Sequence, residues 1–333
     1  MKIIFFWLKN ARYHALPQSI MPAIVAISFA LSKPNYNWLL AIVAFCGVAF
    51  AHLAMNLADD YFDYKVKSGE TRKRLKHNGF RARISKYEYL LNGSTTLKGL
   101  LKAIIYFLIC AAICGIFIMI ERGIIIGLFA VSGLFFGIFY SAKPLKLSYR
   151  GLGEVVIGIM FGFLLMCGVY YAACGEINSI IILFSIPVGL LVTNIIFTHS
   201  ILDRRADIEV SKMTFAILLK TKLNILIACF ILNFCPFIIV CIGVITGIFN
   251  PLYLIVLVVL PRAIWLFNSL NHFLKDEKYE PQRHKWLGQM ENWERIKSAS
   301  IDWFMIRWYT SRNLTTAFCI IVVVINIVLM LWS

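Results

Sequence analysis

The feature that most constrains this chain is a series of nine apolar stretches, each about as long as a helix that crosses a bilayer. They occupy residues 17–32, 37–58, 99–119, 123–140, 152–173, 179–202, 223–247, 251–273 and 314–332. Hydrophobic residues make up 60% of the sequence and charged residues only 15%, too few to cover a soluble domain of 333 residues. This composition excludes a soluble globular enzyme, a disordered chain and a fibrous protein. We predict an all-α fold, a polytopic membrane helical bundle of about nine transmembrane helices.

The basic residues are distributed by side of the membrane. With nine spans, five segments fall on one face, and they hold 29 of the 33 Lys and Arg residues. Lys and Arg are enriched in cytoplasmic loops, so we expect this face and the N-terminus to be cytoplasmic. The net charge of +16 is then mostly a sign of topology, and a nucleic-acid partner is not expected.

The region after the eighth span combines tryptophan with basic residues. We predict that 286–309 forms an amphipathic helix on the cytoplasmic membrane surface, with a solvated connector as the alternative. The expected organisation is a transmembrane domain over 1–275, a cytoplasmic Trp/basic segment over 276–313 and a ninth transmembrane helix over 314–333.

Acidic residues are scarce, and six of the seventeen lie in two clusters at the predicted cytoplasmic ends of the second and sixth spans. In continuing helix, Asp60 shares a face with Asn56 and with Asp63, and Asp203 shares a face with Asp207. Carboxylates packed this closely repel one another and are costly near lipid, so we expect a cation to hold them. Oxygen ligands with room for water and phosphate suit Mg²⁺. The alternative is that these acids form salt bridges with neighbouring Lys and Arg at the interface.

Basic residues follow both clusters, among them Lys67 and Arg72 after the first and Lys212 after the second. A metal ion and basic side chains together neutralise a diphosphate as it leaves. An apolar bundle below such a site would hold a long apolar tail. The residues therefore indicate an enzyme that acts on a lipid diphosphate at the cytoplasmic edge of the membrane.

The two clusters also suggest an internal repeat, because Asp60 and Asp203 are 143 residues and four predicted spans apart. Two pseudo-repeated four-helix halves facing each other would bring both clusters over one central cavity, with the ninth helix outside. A cation-coupled membrane transporter also combines acids with an internal repeat and is the alternative from a different class. Its sites should lie near the bilayer midplane, whereas these acids lie at the predicted membrane edge.

The pattern Asn56-x-x-x-Asp60 followed by Asp63, with Asp203-x-x-x-Asp207 later, resembles the two aspartate-rich motifs of the UbiA superfamily of intramembrane prenyltransferases. The resemblance covers roughly residues 10–275, the transmembrane domain. Within the superfamily, the segments 56–64, 140–144 and 149–154 are most similar to the 1,4-dihydroxy-2-naphthoate branch, which makes menaquinone.

The resemblance implies Mg²⁺-dependent transfer of a polyprenyl group from a polyprenyl diphosphate to an aromatic acceptor, foremost 1,4-dihydroxy-2-naphthoate. It implies two Mg²⁺ ions, one held by Asn56, Asp60 and Asp63 and the other by Asp203 and Asp207, which are also the implied catalytic residues. The implied substrate-binding residues are Lys67, Arg72, Tyr140, Lys143, Tyr149, His199 and Lys212.

The same resemblance leaves other acceptors open, such as 4-hydroxybenzoate or a glycerol phosphate. It implies an integral protein of the bacterial inner (cytoplasmic) membrane with the active site facing the cytoplasm. The lipid bilayer is then the expected partner, and the oligomeric state stays open.

Overall fold

The structure is a computed structural model that describes residues 2–65 and 87–332. Within these residues the chain is almost entirely helical, and the one β-feature is an isolated bridge between Arg150 and Met213. The helices in chain order are α1 Lys2–Asn10, α2 Pro17–Ala30, α3 Trp38–Lys65, α4 Glu88–Leu91, α5 Leu97–Arg122, α6 Ile125–Ser141, α7 Gly153–Cys174, α8 Ser179–Leu202, α9 Arg204–Glu209, α10 Phe215–Leu218, α11 Lys222–Ile245, α12 Pro251–Lys275, α13 Trp293–Ser298 and α14 Asp302–Trp332. Helix α12 begins as a 3₁₀ segment over Pro251–Val259.

Seven helices of the described part are long and apolar enough to cross a membrane, and each matches a predicted span. They are α3, α5, α7, α8, α11, α12 and α14. The other two predicted spans, 17–32 and 123–140, correspond to the shorter helices α2 and α6, of 14 and 17 residues. A helix of 14 residues rises only about 21 Å, against a hydrocarbon core of about 30 Å. The all-α membrane bundle is confirmed, and the count of nine crossings stays a prediction.

The C-terminal region differs from the sequence-based expectation. Helix α14 begins at Asp302, so the boundary predicted between 313 and 314 falls inside one continuous helix. The single amphipathic helix predicted over 286–309 is wrong, because residues 276–301, which we name the cap segment, fold as a 3₁₀ turn at Lys285–Leu287, the short helix α13 and irregular turns. Positive φ angles at Gly288, Asn292 and Ser300 interrupt any longer helix.

Helices α7 and α8 cross at very short range through facing glycines. A Cβ atom on Gly162 of α7 would lie 2.7 Å from the Cα of Gly189 in α8, so only glycine allows this approach. A single π-helical turn over Met160–Leu164 lies at the crossing. Its Phe161 and Leu164 line the central cavity of the bundle. Such turns occur mostly as single interruptions inside α-helices and are frequent at functional sites.

Candidate active site

A cavity of about 930 Å³ opens at the centre of the bundle. Much of its wall is apolar and comes from α5 and α6, with side chains such as Leu108, Phe129 and Leu134. The charged and polar side chains include Arg12, Asn56, Asp59, Tyr140, Glu154, His199, Asp207 and Lys212. Residues next to both acid clusters therefore line one cavity, as the internal repeat predicted.

The first acid cluster is buried at the end of α3. Asp60 and Asp63 are each 2% exposed. Asp60 Oδ1 lies 3.3 Å from the Arg12 guanidinium, and Asp60 Oδ2 accepts a hydrogen bond of 3.0 Å from the Tyr89 hydroxyl. Asp63 accepts a hydrogen bond of 2.6 Å from the Tyr149 hydroxyl. Three segments that are distant in sequence from α3 thus converge on its two carboxylates.

Electrostatics keeps these partners in their hydrogen-bonding forms. Burial lowers the pKa of Arg12, but the charges of Asp60 and Asp59 outweigh this and raise its pKa above the ordinary value. Burial and the charge of Asp60 raise the pKa of Tyr89, and burial and the charge of Asp63 raise the pKa of Tyr149. Arg12 therefore stays charged and both tyrosines stay protonated donors across the physiological range.

Asn56 and Asp59 connect this cluster to the cavity wall. The Asn56 amide nitrogen donates to the backbone carbonyl of Ala11 at 2.9 Å, which leaves its Oδ1 available as an oxygen ligand. Asp59 accepts a hydrogen bond of 2.7 Å from the Ser141 hydroxyl and lies 3.3 Å from Arg12. The amide orientation is the one a metal ligand needs, because only the oxygen coordinates a hard cation.

The second acid cluster lies where α8 ends and α9 begins. Asp203 is 1% exposed and Asp207 is 2% exposed. His199, one turn before Asp203 on α8, has its Nε2 3.7 Å from the Asp203 carboxylate. The backbone N–H of Lys212 donates to the backbone carbonyl of Asp207 at 2.8 Å, which brings Lys212 to the cavity.

Two loops join the clusters. The Gly151 N–H donates to the Met213 carbonyl at 2.7 Å, so the loop before α7 runs beside the loop after α9. The Glu154 carboxylate of α7 accepts a hydrogen bond of 3.2 Å from the Phe215 N–H, which also holds these two segments together. Tyr149 then bonds Asp63 of the first cluster while Lys212 of the second lies 5.4 Å from its ring centre.

Most residues predicted for the site are therefore brought together. Five of them line the cavity: Asn56, Tyr140, His199, Asp207 and Lys212. The other four contact one another or cavity-lining residues, since Asp60 lies one turn after Asn56 on α3, Asp63 accepts from Tyr149, Tyr149 lies beside Lys212, and Asp203 lies beside His199. Lys143 is exposed and does not line the cavity. Lys67 and Arg72 lie outside the described residues.

The carboxylates form pairs rather than larger groups in the part of the chain that the structure describes. No set of three or more His, Cys, Asp or Glu side chains there has the arrangement of a metal site. Mg²⁺ commonly takes one or two carboxylates and completes its shell with water and substrate phosphate oxygens. Two buried pairs of oxygen donors beside a cavity fit that mode of binding.

Sequence reasoning missed Arg12 and Tyr89, which hold Asp60 from outside any motif. Arg262, in the membrane-spanning helix α12, donates to the backbone carbonyls of Trp286 and Asn313, at 2.9 and 3.3 Å. Arg262 thus ties α12 to the cap segment and to α14.

Comparison with known proteins identifies a family with this architecture. The model of the UbiA prenyltransferase family matches residues 19–290. The chain is 25% identical to the 1,4-dihydroxy-2-naphthoate octaprenyltransferase of Bacillus subtilis over 270 residues, which are 80% of this chain and 81% of that protein.

Solved structures share the fold over nearly the whole chain. A UbiA homologue from Archaeoglobus fulgidus bound to GPP and Mg²⁺ superposes with a TM-score of 0.61 at 14% identity, covering 96% of this chain and 99% of that one. A digeranylgeranylglyceryl phosphate synthase gives a TM-score of 0.57 at 18% identity, covering 97% and 99%.

Proposed function

The chain belongs to the UbiA prenyltransferase family and is a membrane prenyltransferase, and from this premise we propose that it transfers a polyprenyl group from a polyprenyl diphosphate to 1,4-dihydroxy-2-naphthoate. The naphthoate branch is supported by the similarity to the Bacillus subtilis enzyme along four fifths of both chains. Family membership decides against the cation-coupled transporter that the residues alone left open.

The observation that carries the proposal is the position of two buried acid pairs beside one largely apolar cavity. The pairs are Asp60 with Asp63 and Asp203 with Asp207, all at most 2% exposed. Buried carboxylates need compensating positive charge, and a diphosphate needs the same compensation from metal and basic groups. The apolar wall from α5 and α6 suits a hydrocarbon chain.

For the metal we propose that Asn56, Asp60 and Asp63 hold one Mg²⁺ and that Asp203 and Asp207 hold a second. Bound there, Mg²⁺ would neutralise the diphosphate and favour its departure. The similarity in fold to the Archaeoglobus fulgidus homologue, solved with GPP and Mg²⁺, supports this assignment.

The protein side chains would bind and orient the reactants. Lys212, at the cavity, is proposed to contact diphosphate oxygens together with Lys67 and Arg72. Tyr140 and Tyr149 would turn their electron-rich faces toward the allylic cation. His199 would orient the acceptor, and the apolar cavity would exclude water that quenches the cation.

The C1–O bond of the prenyl diphosphate breaks, and its electron pair leaves with the diphosphate. A ring carbon of the acceptor supplies the electron pair of the new C–C bond to C1. The carboxylate on that ring carbon then leaves as CO₂, and the electron pair of the broken C–C bond restores the aromatic ring.

For orientation, we propose that the acid ends of α3 and α8 face the cytoplasm at the bacterial inner membrane. The strong bias of Lys and Arg toward the segments on that side supports it.

The test is an acceptor panel with purified protein in lipid nanodiscs, Mg²⁺ and polyprenyl diphosphates of different length. The naphthoate, 4-hydroxybenzoate and a glycerol phosphate are offered in parallel, and prenylated product and CO₂ are measured. We expect product with the naphthoate, loss of that product on chelation, and loss in Asp60→Ala and Asp203→Ala. The control Glu121→Gln changes an exposed acid at the opposite end of the bundle and should retain activity. Prenylation of another acceptor alone would reject the naphthoate assignment.

A further inference from the structure

One aromatic side chain near the start of α14, Trp308, lines the central cavity. From Trp303 to Thr315 every residue is buried except Trp308, which is partly exposed and lines the cavity. Trp308 belongs to neither acid cluster and to no motif of the family resemblance. Because the turns before and after it are packed on the bundle, its indole ring is held in a defined position.

On one side, Trp308 is close to the second acid cluster. Phe304 lies one turn earlier on the same face of α14 and contacts the His199 ring edge-to-face, with 5.1 Å between ring centres. His199 also lines the cavity, and its Nε2 lies 3.7 Å from Asp203. Trp308 therefore lines the cavity together with His199, which is proposed to orient the acceptor.

On the other side, polar groups border the ring. Arg312, one turn later, has its guanidinium carbon 5.7 Å from the Trp308 ring centre. It also lies 3.6 Å from Glu291 of the cap segment, and Glu291 lies 3.7 Å from His14. His14 lines the cavity as well. The Arg312 guanidinium lies over the Trp308 ring, and the cavity that Trp308 lines is also lined by the His14 and His199 imidazoles. An aromatic ring in a cavity with such basic side chains suits a flat ring that carries a carboxylate and hydroxyl groups.

We propose that Trp308 forms the acceptor subsite, with the aromatic acceptor stacked on its indole ring and its polar substituents directed toward His14 and His199. This inference rests on the proposed function, because it takes an aromatic ring as the second substrate. The apolar wall from α5 and α6 binds the prenyl chain at a different place, so Trp308 contributes to acceptor binding and leaves donor binding unchanged.

The test separates acceptor binding from donor binding by steady-state kinetics of the full-length protein in nanodiscs with Mg²⁺. Trp308→Leu removes the ring and keeps apolar bulk, and Trp308→Phe keeps a ring. We expect Trp308→Leu to raise the acceptor KM about tenfold while the KM for prenyl diphosphate changes by less than about twofold, and Trp308→Phe to stay near wild type. Trp286→Ala is the matched control, since the Trp286 side chain is 46% exposed and lies outside the cavity.

The outcomes are distinct. An unchanged acceptor KM in Trp308→Leu, or a rise in the prenyl diphosphate KM instead, would overturn the subsite and leave the proposed function intact. Wild-type protein that binds prenyl diphosphate but prenylates no aromatic acceptor would overturn the proposed function, and the subsite with it. If thermal unfolding shows that Trp308→Leu does not fold, Trp308→Met makes the same comparison with a flexible apolar side chain.

Discussion

Replacing Arg12 by glutamine should destabilise the protein and weaken its binding of prenyl diphosphate. The guanidinium lies 3.3 Å from both Asp59 and Asp60 and donates to the backbone carbonyl of Asn56 at 2.6 Å. Removing one partner of a fully buried ion pair costs about 3–5 kcal/mol. Because the Arg12 side chain is 33% exposed, water compensates part of that loss, and we expect about 2 kcal/mol in the free energy of unfolding.

The control is a second arginine whose loss removes hydrogen bonds without touching the site. Arg122 donates to the backbone carbonyls of Asn35, Ala172 and Ala173 at the opposite end of the bundle. Both Arg12→Gln and Arg122→Gln should lower the thermal unfolding temperature in detergent. Only Arg12→Gln should weaken Mg²⁺-dependent binding of prenyl diphosphate, by about tenfold or more, because Asp60 loses the partner that orients it. Equal binding by the two variants would refute the argument that Arg12 positions Asp60.

Three further substitutions test the packing and hydrogen bonds around the cavity. Tyr149→Phe removes the donor to buried Asp63 and should lower kcat/KM by about tenfold in the same assay, with little change if the bond is dispensable. Gly162→Ala should lower the free energy of unfolding by about 1–3 kcal/mol, because its Cβ would meet the backbone of α8 at 2.7 Å; unchanged stability would contradict the close crossing. Asn194→Leu leaves Asn233 buried without its 3.0 Å partner and should cost about 1–3 kcal/mol, most of which the double variant with Asn233→Leu should recover.

The membrane helices and the acid ends of two of them could be predicted because both signals are local. Apolar runs located every long helix, and the spacing of Asp60 and Asp63 predicted a shared face at the end of α3. The start of α14 could not be predicted in this way. The spacing of Trp303 and Arg307 is typical of a helix face at the membrane surface, whereas both side chains are buried against the bundle. A sequence pattern does not show whether an amphipathic face packs on lipid or on protein.

The partners of the acids depend on contacts between segments far apart in the chain. Arg12 reaches Asp60 across 48 residues, from a turn in which its own φ is +58°. Tyr149 reaches Asp63 across 86 residues. No spacing rule connects such positions, so only the packed structure identifies them. Trp308 was missed for the same reason, since its place at the cavity depends on how α14 packs.

The central claim is that both acid pairs act together on one prenyl diphosphate. Its most direct test is equilibrium binding of a prenyl diphosphate to wild-type protein, Asp60→Asn and Asp207→Asn, with and without Mg²⁺ and with no acceptor present. We expect Mg²⁺-dependent binding by the wild type and a loss of about tenfold or more in each variant. Wild-type affinity in either variant, or binding that does not depend on Mg²⁺, would contradict it.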